Sequence, residues 1–137
     1  MAFENPGDTV IRDLLSEPRT FAVVGCSPDP GRDSHEIARL LLERGHRVVP
    51  VRPGGGEILG QRCRPDLRSI PGPVDVVDVF RRPEHVAAIA LDAIAIGARV
   101  LWLQLGVVDA QAAVRARDAG LLVVMDRCPA IEYRRLF

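Results

Sequence analysis

Five short runs rich in Val, Ile and Leu, each nearly unbroken in apolar character, recur at residues 21–25, 47–51, 74–80, 99–104 and 121–126. A strand with one wet face alternates apolar and polar residues, whereas an unbroken run is covered on both faces. The five runs therefore predict a parallel sheet of about five strands sandwiched between helices. Segments of helical period lie between them, at residues 35–44, with Ile37, Leu40 and Leu41 on one face, and at 84–96 and 110–119. Gly45, Gly97 and Gly120 stand just past these helices, where a left-handed cap is wanted. Residues 9–15 read as a leading helix and 129–136 as a closing one. One connection breaks the rhythm: residues 53–73 are rich in Gly, Pro and Arg, carry three consecutive glycines from Gly54, and offer only a short helical turn around residues 66–69.

This alternation is that of an α/β, three-layer, Rossmann-like doubly wound sheet, and the right-handed crossover rule leaves two common strand orders, 3-2-1-4-5 and 2-1-3-4-5. Both place ligands at the carboxyl ends of the strands, so the groups to examine are residues 25–34, 51–56, 80–83, 104–109 and 126–132. A phosphoacceptor receiver would want acids after the first strand, where Cys26 and Ser27 stand. At 137 residues the chain is expected to be one domain, spanning 1–137, without an internal linker. The formal net charge of zero excludes a global attraction to nucleic acid or to an anionic membrane, so a polyanion must be held by a local basic site. An acidic amino-terminal stretch and the lack of a long apolar run predict a cytoplasmic protein. Cys26, Cys63 and Cys128, odd in number and widely spaced, read as reduced thiols, with neither a disulfide nor a metal site.

The most informative connection follows the first strand. Gly25 ends a buried run and lets the backbone turn toward a helix whose amino terminus can receive an anion. Asp33, with Glu36 three residues on, or Ser34 one residue later, marks the expected cap, and Arg32 precedes it. The dinucleotide fingerprint is not met, because Ser27 and Pro30 occupy the places of its second and third glycines. The second strand ends in Arg52, where an NAD enzyme carries a carboxylate for the ribose diol. Arginine there suits a phosphorylated ribose, as in NADP or coenzyme A. A dehydrogenase also needs substrate groups from a second domain or subunit, whereas coenzyme A needs only a groove along the strand ends.

The sequence resembles the small stand-alone CoA-binding proteins of bacteria and archaea, whose Rossmann-like domain is related to the N-terminal domain of the succinyl-CoA synthetase alpha subunit. The resemblance covers nearly the whole chain and is carried by VVGCS from Val23, RDS from Arg32, VVPVRP from Val48, ILG from Ile58, VDVVDVFRRPEH from Val74, LWLQLGV from Leu101 and AGLLVVMDRC from Ala119. It implies that Gly25, Cys26, Ser27, Pro28, Arg32 and Ser34 surround CoA phosphates, and that Val51, Arg52 and Pro53 meet the adenosine part. Phe80, Arg81 and Arg82 would meet the nucleotide or pantetheine, and Gln104 and Gly106 would line the end of the fourth strand. The family usually carries Asn at the position of Arg52. The phosphohistidine of the synthetase belongs to a different domain, so the resemblance implies no ligase activity.

Two further readings of the residues stay open. Cys128 precedes Pro129, which suits a first helical position, so its sulfur could sit at a helix amino terminus and exchange disulfides with CoA. That makes a small NADP-linked or CoA-thiol oxidoreductase using Cys128 the alternative to a carrier, sensor or protective binding module for CoA or acyl-CoA. Cys26, placed beside a phosphate, is expected to be the easier target for oxidation. A third reading is a subunit of a larger acyl-CoA enzyme; a homo-oligomer could use the sheet edges and Trp102, which reads as either a core or a subunit-contact aromatic. No serine and carboxylate stand at triad spacing to His35.

Overall fold

In the computed structural model, which describes residues 3–137, the chain runs α1 (Asp8–Ser16), β1 (Thr20–Val24), α2 (Asp33–Glu43), β2 (Arg47–Val51), β3 (Glu57–Ile58) and β4 (Gln61–Arg62). It continues through β5 (Val76–Val79), α3 (Val86–Ala95), β6 (Val100–Leu103), α4 (Ala110–Asp118), β7 (Leu122–Met125) and α5 (Pro129–Leu136), with 3-10 turns at Leu67–Ser69 and Pro83–His85. The five long strands form one parallel sheet in the order β2-β1-β5-β6-β7. Counted along the chain this is 2-1-3-4-5, so of the two orders open to the sequence the structure takes the second. The order reverses between β1 and β5, and the carboxyl ends of those two strands are where such a sheet opens a crevice.

Strand alternation divides the core into two layers. Phe21, Val23, Val76, Val100, Trp102 and Val124 face α1, α2 and α5, together with Ile11, Ile37, Leu41 and Tyr133. Ala22, Val24, Val77, Val79, Leu101 and Leu103 face α3 and α4, together with Val86, Ala90 and Ala113. The unbroken apolar runs thus have their predicted cause: both faces of each strand are covered. Trp102 is 0% exposed and its indole N–H donates to the Arg127 carbonyl at 2.9 Å, so of the two roles open to it from the sequence, core and subunit contact, it takes the core one.

The irregular second crossover contains a hairpin that the sequence did not reveal. Strands β3 and β4 are antiparallel, with Glu57 opposite Arg62 and Ile58 opposite Gln61. The two residues of the turn, Leu59 and Gly60, both have positive φ, 53° and 75°. That is the backbone of a tight hairpin turn whose usual signal is Asn-Gly; a leucine in a left-handed position hides it. Beyond the hairpin, the Arg64 amide donates to the Pro50 carbonyl and the Arg52 amide to the Arg64 carbonyl, both at 2.9 Å. A short strap of backbone therefore pairs with the outer edge of β2. At the other edge the Asn5 side chain accepts from the Met125 amide at 2.7 Å and donates to its carbonyl at 2.9 Å, closing one rung of β7. The predicted helix at 84–96 is also divided, since Pro83 opens a 3-10 turn before α3 begins.

Candidate functional site at the strand ends

Gly25 is the pivot of the carboxyl edge. Its amide donates to the Val51 carbonyl at 2.9 Å, and the Phe80 amide donates to the Val24 carbonyl at 2.8 Å, so β1 stays clamped to both neighbours at its last residues. Gly25 has φ +83°, and a Cβ there would lie 2.7 Å from the Phe80 carbonyl oxygen and 2.9 Å from Arg81 Cδ. Both the conformation and the approach require glycine.

The loop from Gly25 to α2 is held by its own side chains. Ser34 Oγ accepts from the Ser27 amide at 2.9 Å, Ser27 Oγ accepts from the Asp29 amide at 3.0 Å, and Asp29 Oδ1 accepts from the Gly31 amide at 2.9 Å. The capping box expected from Asp33 and Glu36 is not formed. Arg32 is the cap residue, no side chain caps α2, and Ser34 instead reaches back to Ser27. Competition explains the difference: a short hydroxyl can bond the loop as readily as its own helix end. The uncapped helix start and the loop surround a cleft of about 340 Å³, lined by Gly25, Ser27, Gly31, Arg32, Asp33, Ser34 and Phe80.

A second hollow, of about 150 Å³, lies on the α3 side of β1. Val51, Arg52, Pro53 and Arg81 line it, together with Leu67 from the 3-10 turn and Ile89 from α3, and with two carboxylates, Asp66 and Asp92, the latter paired with Arg68 at 2.8 Å. The aliphatic part of Arg81, against Gly25, stands between the two hollows. Nine of the candidate residues thus come together in two groups, and five lie outside them: Cys26, Pro28, Arg82, Gln104 and Gly106. Pro28 is exposed on the loop, Arg82 is exposed with Glu84 3.8 Å away, and Gly106 is exposed at the end of β6, its amide donating to Asp126 Oδ1 at 2.8 Å. Gln104 lines neither hollow; it is buried beside them, and its Oε1 has no hydrogen-bond partner. All eighteen basic side chains of the protein are arginine, so the cations of this edge, Arg32, Arg52, Arg81 and Arg82, are planar forks suited to phosphate oxygens.

The thiols depart from expectation. Cys26 is 2% exposed, its Sγ lies 3.9 Å from the Ser34 carbonyl, and it packs in the α2-side core. Burial, with Cys63 and Asp78 nearby, pushes its thiol up to about 12. Cys26 is therefore shielded, contrary to its expected place as the easier target for oxidation, and only its backbone faces the loop. Cys63 is also buried and raised by desolvation. Cys128 is half-buried at the cap position of α5, ahead of Pro129 as the sequence suggested.

One ionisable group escaped the sequence reading. Asp78, in the middle of the run that forms β5, is 0% exposed, and neither carboxyl oxygen has a hydrogen-bond partner. Desolvation pushes it well above the usual carboxylate range, which favours its protonated form.

Residues 19–134 match a family described as CoA binding domain. An uncharacterized protein of Bacillus subtilis, YneT, is 35% identical over 125 residues, 91% of this chain and 93% of the other. The alpha subunit of an ADP-forming acetate–CoA ligase II from Pyrococcus furiosus is 35% identical over 65 residues, 47% of this chain and 14% of that subunit. A hypothetical protein of Pyrococcus horikoshii with a solved structure is 37% identical with a TM-score of 0.91, and 99% of each chain is covered.

Proposed function

The chain belongs to the CoA-binding domain family, and we propose that it holds coenzyme A or an acyl-CoA in the two hollows at the carboxyl edge of its sheet. The observation that carries the reading is the close approach of Gly25 to Phe80 and Arg81, which leaves a low backbone saddle with a polar cleft on one side and a more apolar hollow on the other. The cleft offers uncapped helix amides and Arg32, a suitable setting for a pyrophosphate. The Gly31 amide, now bonded to the Asp29 carboxylate, is a donor that a phosphate oxygen can take over. In the second hollow, Val51, Pro53 and Ile89 give an apolar wall for adenine, and Arg52 and Arg81 give cations for a ribose 3′-phosphate.

On this reading the protein is a binding module, whose service is to carry, sense or protect the thioester or thiol. Titration calorimetry of the reduced protein with CoA, dephospho-CoA, NADP and NAD at one salt concentration tests it. Binding of CoA that weakens at least tenfold for dephospho-CoA, with little response to NADP, is the expected result. Preference for NADP, or no heat with CoA, refutes the assignment.

A further inference from the structure

We infer that Asp78 and Gln104 form a donor–acceptor pair that recognises a secondary amide of the pantetheine arm, an inference that rests on the CoA reading above. Among the described residues, the buried side-chain polar atoms without a partner are His35 Nδ1, both Asp78 oxygens and Gln104 Oε1. Buried polar atoms are almost always paired, and the exceptions call for a missing ligand or water. Two of these three residues share one face of two neighbouring strands. The β5–β6 register sets Asp78 beside Trp102 and Val79 beside Leu103, and the Gln104 amide continues that ladder by donating to the Val79 carbonyl at 3.3 Å. Alternation then places Asp78, Trp102 and Gln104 on the α2 side of the sheet, Gln104 one pleat nearer the carboxyl edge.

The chemistry of the pair selects the ligand group. Neither Asp78 oxygen has a partner, and burial favours the protonated carboxyl, which can donate one hydrogen bond, while Gln104 Oε1 can accept one. A secondary amide presents one carbonyl and one N–H, the complement of that pair. A phosphate presents only acceptors and would set an anion against Gln104 Oε1. Phe80 stands two residues beyond Asp78 on the same face, half-buried against this layer, and it also lines the cleft. An arm leaving the cleft toward β6 passes over Phe80, and displacement of its ring opens the way to the acid beneath.

The test compares CoA with adenosine 3′,5′-bisphosphate, which carries nucleotide and phosphates but no arm. Asp78→Val is expected to weaken CoA about tenfold, from the lost bond and the unpaired amide of the ligand, and to leave the bisphosphate within about twofold. The same variant is expected to melt no lower than the wild type, because it removes an unpartnered buried acid. Asp78→Asn, which keeps a donor in place, should hold CoA within about threefold. Gln104→Leu should weaken CoA like Asp78→Val, and it carries the test if Asp78→Val does not fold. Unchanged CoA affinity in these variants, or an equal loss for both probes, overturns the inference while leaving the CoA reading intact. Failure of the wild type to bind either probe refutes the CoA reading, and this inference with it.

Discussion

Replacing Gly25 by alanine tests the saddle on which the site is built. Alanine in the left-handed region costs about 1–2 kcal/mol. The new Cβ would also stand 2.7 Å from the Phe80 carbonyl oxygen and 2.9 Å from Arg81 Cδ. Arg81 can swing aside, but the carbonyl belongs to the chain just past β5 and moves only if the β1–β5 pairing opens, an overpacking cost of about 1–3 kcal/mol. A total near 3 kcal/mol, for a chain of 137 residues, lowers the melting temperature by about 10 °C. Thermal denaturation followed by circular dichroism reads this directly. Gly31→Ala, in the same loop, is the control: its Cβ would approach nothing closer than Asp29 Oδ1 at 3.4 Å, and Gly31 has no positive φ, so its melting should stay near that of the wild type. Arg81→Ala added to Gly25→Ala should recover little, since the backbone contact remains. A Gly25→Ala protein that melts within about 3 °C of the wild type refutes the close-approach argument, because the left-handed cost alone would predict more than that shift.

Other parts of the fold give sharp expectations. The Arg19 amide donates to His46 Nδ1 at 3.0 Å, so Nε2 carries the proton and donates to Tyr133 Oη at 2.6 Å, which in turn donates to the Leu15 carbonyl at 3.1 Å. Burial, with the charges of Arg19 and Arg44, holds His46 below its usual value, so the native state favours the neutral ring; its stability is intact above about pH 6.5 and is lost as pH falls toward the lowered native value. Melting temperature should therefore drop between pH 7 and 5.5, and His46→Gln should flatten that part of the profile. Asp78 has the opposite sign: its raised native value means that its contribution is complete below the ordinary carboxylate pKa and declines as pH rises, so Asp78→Asn should stabilise the protein at pH 7.5 more than at pH 4. In native protein, iodoacetamide should label Cys128 alone, with Cys26 at 2% and Cys63 at 4% exposure reacting only after denaturation; mass spectrometry of the peptides checks this.

The sheet was legible because the two-sided burial of its strands writes itself into continuous apolar runs, and the helices because glycines follow them. Strand order was not, since β1 can reverse the winding on either side without changing the pattern of a single run. Leu59 concealed the hairpin, and Ser34 concealed the true start of α2 by offering a cap that its hydroxyl does not make. Asp78 was hidden inside the apolar run of β5. Asp75, three residues earlier, accepts the Thr20 amide at 2.8 Å, and nothing in the string of letters separates a paired aspartate at a strand start from an unpaired one in its middle. The tie between the termini was equally invisible. Arg135 bonds both Asp8, at 2.7 and 2.8 Å, and the buried Glu132, at 2.8 Å, while Arg127 meets Glu132 at 2.9 Å, so a contact across 127 residues pins α5 to α1. The candidate residues around Gly25 were readable as chemistry, but their division into two hollows depends on where Arg81 folds down.

The treatment of the sheet's two borders bears on how this unit can be reused. The strap at Arg64 occupies the outer side of β2, and Asn5 answers a rung of the short β7. A unit whose margins are partly occupied by its own chain offers less template for foreign strands. It can be spliced beside other folding units with less risk of pairing with them. Portability of that kind suits a sequence that matches a protein of its own size in Bacillus subtilis and, over 65 of its residues, part of an acetate–CoA ligase subunit in Pyrococcus furiosus.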